Sequence, residues 1–206
     1  MTAIPYSFEK QCYLHMKKIL LFASGTGSNV ENIIQHFKNH HDIIVVGIYT
    51  NNPNAKVLDK AKNHNVPTLI FNREQLTDGF VFDKIAELKP DLIVLAGFLW
   101  KMPEEIVSAY PNKIINIHPA LLPKYGGKGM YGIKVHQTVL ANKEKETGIT
   151  IHYVNEHYDE GEFIFQQKVA IEDCKTPEDV ANKIHGLEHK HFPKIIEKLL
   201  TSNFVP

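Results

Sequence analysis

Apolar and amphipathic segments alternate along the first half of the chain. Helical spacing of apolar positions follows most of the strand-like runs, at residues 30–37, 54–64 and 80–88. This order predicts an α/β fold, a Rossmann-like, doubly wound open sheet with helices on both faces. Short apolar runs, which predict buried strands, occupy residues 17–23, 42–49, 66–71 and 91–96.

The second half of the chain predicts one further apolar strand and then an antiparallel pair. The apolar strand covers residues 113–117, and the pair covers residues 148–154 and 162–171. Only a short link joins the last two strands, which places them antiparallel at the edge of a mostly parallel sheet. Thr176 followed by Pro177 is typical of the start of a helix, and predicts one after the last strand.

Composition favours one domain that binds small molecules. The 206 residues are enough for a single core, so we expect an extension of residues 1–15 and one domain over residues 16–206. Lys+Arg 23 balance Asp+Glu 23, which gives no positive field for nucleic acid. The apolar runs are too short to cross a membrane. Cys12 and Cys174 suggest neither a metal site nor a disulfide framework, as expected in a reducing cytoplasm.

A glycine-rich turn at residues 25–29 lies between the first strand and the first helix. Its glycines allow close backbone approach, and Ser28 or Asn29 could cap a helix whose free N–H groups attract an anion. Val30 replaces the third glycine of a dinucleotide motif, and no acidic residue follows the second strand. The turn therefore favours a phosphate monoester over NAD, and a tight turn without a ligand is the alternative.

Asn116 and His118 end the apolar strand of residues 113–117. Residues two apart in a strand point to the same side, so a carboxamide and an imidazole face one spot. Pro119 then stops the ladder at the carboxyl end of the strand, where open sheets bind ligands. An amide donor beside a titratable ring suits a reaction that builds negative charge on a carbonyl oxygen. The alternative is that both side chains only satisfy nearby backbone groups.

Four segments in order resemble the folate-dependent formyltransferases. They are residues 23–29, 95–98, 116–125 and 148–161, and the resemblance extends over nearly the whole chain. Within that family the resemblance is greatest to the members that formylate phosphoribosylglycinamide in purine biosynthesis. It implies an enzyme that transfers the formyl group of 10-formyltetrahydrofolate to that amine by direct attack, with folate and phosphoribosylglycinamide as its small-molecule partners.

The same resemblance assigns the site residues. It implies catalytic roles for Asn116, His118 and Asp159, and substrate binding by Gly27, Ser28, Asn29 and Glu188. It implies that the folate is bound by Arg73, Leu99, Trp100, Lys101, Met102 and Asn116. Many relatives carry a basic residue earlier in the loop that holds Lys101, so the partner of the folate glutamate tail stays open between Lys101 and Arg73. Without the resemblance, Asp159 could not be chosen over Glu156 and Glu160.

The sequence also bears on a metal site and on rival functions. His185 and His189 are four residues apart, but they lack the His-Glu-x-x-His order, so we expect no metal. Methionyl-tRNA formyltransferase is disfavoured by the chain's end at Pro206 and by its neutral charge, and formyltetrahydrofolate hydrolase by the few residues before the first strand. A non-catalytic nucleotide-binding module is a more distant alternative. We expect a monomer or homodimer, with residues 124–132 as a mobile lid.

Overall fold

One seven-stranded sheet runs through residues 16–201, the part of the chain that the computed structural model describes. The strand order is β3-β2-β1-β4-β5-β6-β7. Strands β1 to β5 are parallel, whereas β6 and β7 are antiparallel to their neighbours. The predicted α/β sheet with an antiparallel edge is confirmed. The strands are β1 (Lys17–Phe22), β2 (Ile43–Thr50), β3 (Thr68–Ile70), β4 (Leu92–Leu95), β5 (Ile114–His118), β6 (Glu146–Tyr153) and β7 (Phe163–Ala170).

Helices cover both faces of this sheet. Alternate residues of β1 point in opposite directions, so Ile19 and Leu21 join one apolar cluster while Leu20 and Phe22 join the other. Helices α1, α2, α6 and α7 pack on the first face, and α3, α4 and α5 pack on the second. The helices are α1 (Ser28–Phe37), α2 (Val57–Asn63), α3 (Arg73–Thr77), α4 (Phe80–Leu88), α5 (Glu104–Ala109), α6 (Ile133–Ala141) and α7 (Pro177–Thr201).

Three of these helices, α3, α5 and α6, were not predicted from the sequence. Helices α3 and α5 are five and six residues long, too short for an apolar period to show. Asn72 and Gln75 start α3 with a reciprocal capping box, in which each side chain bonds to the other residue's backbone. Helix α6 follows a run of glycines, which obscures where its pattern begins.

Helix α7 crosses the first face and contacts both α1 and α6. Its predicted start is confirmed, because Pro177 is the first helical residue and the hydroxyl of Thr176 accepts a hydrogen bond from the amide of Asp179 at 3.1 Å. The helix continues for 25 residues. The middle of the helix lies beside the start of α1, where Asn29 Nδ2 donates to Glu188 Oε2 at 2.9 Å.

Residues 1–15 and 202–206 lie outside the described residues. The expected extension of residues 1–15, the domain boundary at residue 16 and the role of Cys12 therefore stay predictions. Within residues 16–201, every helix is too short or too polar to cross a bilayer.

Candidate active site

A cavity of about 800 Å³ opens at the carboxyl ends of β1, β4 and β5. The chain order of the strands reverses between β1 and β4, and open α/β sheets bind their ligands at such a point. All of the predicted site residues line this one cavity: Gly27, Ser28, Asn29, Arg73, Leu99, Trp100, Lys101, Met102, Asn116, His118, Asp159 and Glu188. Segments far apart in the sequence thus contribute to a single space.

Asn116, His118 and Asp159 meet at the end of β5. Asp159 Oδ2 lies 3.5 Å from His118 Nδ1, and Asp159 Oδ1 lies 3.4 Å from Asn116 Nδ2. The carboxylate therefore sits between a carboxamide and an imidazole. The side chain of His118 is almost fully buried, whereas that of Asn116 is partly open to the cavity.

The backbone fixes which nitrogen of His118 carries a proton. His118 Nε2 lies 2.7 Å from the carbonyl oxygen of Tyr125, and a carbonyl can only accept a hydrogen bond. The neutral ring therefore carries its hydrogen on Nε2, and Nδ1 is left beside Asp159. Residue Tyr125 could not be found from the sequence, because its contribution comes from the backbone.

Burial decides the charge of His118. It lowers the pKa of the ring below its ordinary value of 6.5, although the charge of Asp159 acts in the opposite direction. Asp159 thus favours the protonated ring, as the sequence argument expected, but the larger effect of burial leaves His118 neutral near pH 7. The expectation that Asp159 sets the charge of His118 is incomplete for this reason.

Asp159 stays ionised because its neighbours compensate for its partial burial. Burial is the largest single influence and raises the pKa of this carboxyl, but His152, His118 and the amide of Gly127 together bring the pKa below its ordinary value of 3.8. The Gly127 N–H donates to Asp159 Oδ2 at 2.9 Å. Asp159 itself has a φ of 58°, a left-handed conformation that asparagine and aspartate tolerate better than most residues.

His152 is a residue of the site that the sequence analysis missed. It pairs directly with Asn116 across β5 and β6, and its Nε2 lies 3.2 Å from Asn116 Nδ2. Its Nδ1 donates to the Tyr153 carbonyl at 2.8 Å, so Nε2 is free to accept from the carboxamide. A lone histidine in the apolar run 149–154 was a visible signal. Its partner depended on the strand register, which the sequence does not give.

The start of α1 has no capping side chain. Gly27 is the residue before the helix, with a φ of 69°, and no side chain bonds to the first N–H groups. The predicted capping by Ser28 or Asn29 is therefore wrong, since the helix begins at Ser28 and Asn29 points elsewhere. A Cβ on Gly27 would lie 2.5 Å from the side chain of Val57. The free N–H groups and the helix dipole can hold a phosphate.

Asn29 instead joins Glu188 across the interior. Its Nδ2 donates to Glu188 Oε2 at 2.9 Å, while its Oδ1 is buried without a partner. Burial raises the pKa of Glu188 to about 7, and the bond from Asn29 offsets only part of that effect. Buried polar atoms usually have partners, so the free Oδ1 suits a ligand donor.

The loop after β4 lines another part of the cavity with apolar groups. Trp100 packs edge-on against Phe71 and Phe98, and the guanidinium carbon of Arg73 lies 4.6 Å from the centre of its ring. Trp100 therefore has both a packing role and a place on the cavity wall. Lys101 is exposed, whereas Met102 is buried.

Among residues 16–201, no three His, Cys, Asp or Glu side chains lie close enough together to bind a metal ion. His185 lines the cavity but is exposed, and it remains without an assigned role.

Known proteins resemble this chain over most of its length. The chain is 36% identical to "Phosphoribosylglycinamide formyltransferase, chloroplastic" of Arabidopsis thaliana over 189 residues. The matched region is 87% of this chain. It spans 64% of the length of that plant relative. It is also 36% identical over 194 residues to "Phosphoribosylglycinamide formyltransferase" of Bacillus subtilis, with 91% of this chain and 97% of that protein covered.

A solved structure and a family model also match this chain. The crystal structure of phosphoribosylglycinamide formyltransferase from Bacillus halodurans superposes with a TM-score of 0.82 at 34% identity, covering 90% of this chain and 96% of that one. The family model described as formyl transferase matches residues 17–196. The resemblance drawn from the sequence is confirmed: this chain belongs to the formyl transferase family.

Proposed function

We propose that this protein transfers the formyl group of 10-formyltetrahydrofolate to the amine of phosphoribosylglycinamide. The observation that carries the proposal is the meeting of Asn116, His118 and Asp159 in one cavity between a free helix start and an apolar loop. The relatives named above are phosphoribosylglycinamide formyltransferases, which supports this choice of acceptor. The activity belongs to purine biosynthesis.

The phosphate of the acceptor would bind at the start of α1. Gly27, Ser28 and Asn29 offer uncapped N–H groups there, and the positive end of the helix dipole attracts an anion. The buried Glu188 accepts a hydrogen bond from Asn29, and by the family resemblance it would lie near the amine of the bound acceptor. A carboxyl with a pKa of about 7 can accept a hydrogen bond or a proton from that amine at neutral pH.

The folate would bind against the loop after β4. Leu99, Trp100 and Met102 give an apolar wall, and cavities of about 300–1,000 Å³ are usual for such ligands. Arg73 is exposed beside Trp100, where its guanidinium could pair with the carboxylates of the glutamate tail, and Lys101 is the second candidate.

The chain's own groups then serve the transfer step. The attacking amine forms a bond to the formyl carbon, and the carbonyl oxygen becomes an oxyanion that Asn116 Nδ2 stabilises by donating a hydrogen bond. The amine loses a proton to His118 Nδ1, and Asp159 stabilises the imidazolium. The proton returns to the folate nitrogen as its bond to the carbon breaks. Both contacts of the Asn116 amide, at 3.2 and 3.4 Å, are long, so this donor can be redirected.

The test is formylation of phosphoribosylglycinamide by the full chain, measured by mass spectrometry. We expect product from the wild type and a loss of at least about 100-fold in His118→Ala, while the exposed His41→Ala variant serves as the control and keeps the wild-type rate. No product from the wild type, or full activity in His118→Ala, would refute the proposal.

Two rival functions give different results in the same experiment. A hydrolase releases formate and tetrahydrofolate at the same rate without the acceptor. A non-catalytic nucleotide-binding module forms no product. Thermal shifts measured separately with NAD, folate and phosphoribosylglycinamide identify it, because it is stabilised by NAD and not by the other two, and a ligand at 100 times its dissociation constant adds about 2.7 kcal/mol. The cytoplasmic location and the monomer or homodimer state stay predictions.

A further inference from the structure

We propose that residues 125–127, held by the side chains of Tyr125 and Glu144, position His118 and Asp159 for the transfer step. This inference rests on the proposed function, because it concerns the residues that carry the proposed chemistry. We call residues 125–127 the bracket.

The bracket contacts His118 through a backbone acceptor and Asp159 through a backbone donor. The carbonyl of Tyr125 accepts from His118 Nε2 at 2.7 Å, and the N–H of Gly127 donates to Asp159 Oδ2 at 2.9 Å. The carbonyl requires a hydrogen on Nε2, and the N–H favours a carboxylate over a carboxylic acid. One short segment thus selects the tautomer of the imidazole and the ionised form of the carboxyl.

An uncommon backbone shape makes these contacts geometrically possible. Tyr125 has a φ of 61°, a left-handed conformation that bulky residues seldom adopt. A Cβ on Gly126 would lie 2.5 Å from Leu122 and 3.2 Å from the Cβ of Asp159, so the bracket approaches Asp159 more closely than a larger residue allows. A strained shape at such a position needs support from its surroundings.

The tyrosine side chain supplies that support. The Tyr125 hydroxyl donates to Glu144 Oε1 at 2.8 Å and accepts from Asn142 Nδ2 at 3.0 Å. Lys124 Nζ also lies 3.0 Å from Glu144 Oε1. The hydrogen bond from Tyr125, followed by that from Lys124, lowers the pKa of Glu144 and keeps it ionised. Asn142 and Glu144 belong to the connection between α6 and β6, so this anchor ties the bracket to the folded body.

Tyr125 and Glu144 are therefore positioning residues and not catalytic ones. The hydroxyl bonds to Glu144 and Asn142, and the contact with His118 comes from the carbonyl of the same tyrosine. Without the anchor, Tyr125 can relax towards a negative φ, and its carbonyl then turns away from His118. The ring would lose the acceptor that fixes its tautomer.

The experiment compares Tyr125→Phe and Glu144→Ala with Glu144→Gln, whose amide oxygen still accepts from the tyrosine. Tyr49→Phe is the matched control, since its hydroxyl donates to the carbonyl of Lys84 at 3.0 Å, outside the cavity lining. Two-bond proton–nitrogen NMR spectra of ¹⁵N-histidine protein report the His118 tautomer without substrates. Steady-state kinetics separate kcat from the KM of each substrate.

We expect the Nε2–H tautomer in the wild type, in Glu144→Gln and in Tyr49→Phe. Tyr125→Phe and Glu144→Ala should show a mixture of tautomers and a kcat about fivefold lower, with KM within about twofold, because one hydrogen bond that orients the ring is lost. An unchanged tautomer in both variants, or a changed tautomer with an unchanged kcat, overturns the inference. If the wild type forms no product, the proposed function fails, and the NMR comparison alone decides whether the bracket sets the tautomer.

Discussion

Replacement of Glu188 by glutamine should stabilise the folded protein at neutral and alkaline pH. Burial raises the pKa of Glu188 from its ordinary value of 4.5 to about 7 in the folded state. The unfolded chain therefore ionises first as the pH rises. A group whose folded-state pKa is raised lowers stability progressively between the two pKa values, here from about pH 4.5 to about pH 7.

The magnitude follows from the separation of the two pKa values. At about 1.36 kcal/mol for each pH unit, the charge of Glu188 costs about 3 kcal/mol at pH 8 but only about 1 kcal/mol at pH 5. Glutamine removes this cost and can still accept the hydrogen bond that Asn29 donates at 2.9 Å. A gain of about 3 kcal/mol corresponds to a Tm increase of roughly 6–12 °C in a protein of this size.

The assay is urea unfolding of the wild type and Glu188→Gln between pH 4.5 and pH 8.5. Glu178→Gln is the control, because it removes the same charge from an exposed position of the same helix. We expect the stability difference for Glu188→Gln to grow with pH and then level off above about pH 7. A difference that is constant across this range, or a variant less stable than the wild type at pH 8, would refute the reasoning. Formyl transfer by the stabilised variant should be weaker if Glu188 holds the amine.

Three further perturbations test the geometry of the site. Asp159→Asn should lower the pKa of His118 further below 6.5, because the carboxylate charge acts to raise it, and NMR titration of the ring in the ligand-free protein measures the direction. Gly126→Ala should place a methyl group 3.2 Å from the Cβ of Asp159 and 2.5 Å from a methyl of Leu122. We therefore expect kcat to fall by about tenfold or more, and the protein to lose about 1–3 kcal/mol of stability. Steady-state assays measure the first effect and urea unfolding measures the second. Gly27→Ala should weaken binding of ribose 5-phosphate about tenfold in calorimetry, because φ is 69° there and the methyl would meet Val57.

Local chemistry explains which parts of the site were predictable. Gly27 to Asn29 and Asn116 to His118 lie within continuous segments, where a strand end or a helix start places them without help from distant residues. Their meeting also followed from the sheet rule that ligands bind at the carboxyl ends of the strands. Asp159 was different, because only the family resemblance separated it from its acidic neighbours.

The parts that escaped prediction depend on tertiary structure. His152 needed the register of β6 against β5, and the carbonyl of Tyr125 has no signature in a sequence. The charge of His118 depends on the balance between burial and a nearby carboxylate, and both arise only when the chain folds. Nothing in the sequence distinguishes Glu144 from the other acidic residues, because its bond to Tyr125 forms only in the fold.

Asn116 and His152 lie directly opposite each other on β5 and β6, so the site depends on the register of these two strands. If β6 slipped by a single residue against β5, His152 would point to the opposite face while most of the ladder could re-form. Connections of different length between these strands can be accommodated as long as the pairing is kept, so chimeras that exchange residues 119–145 should be screened for alignment of the two strands before activity is measured. Such a slip would also remove Ile149 and Ile151 from the apolar cluster of the first face, so a chimera with misaligned strands should lose stability together with its working centre.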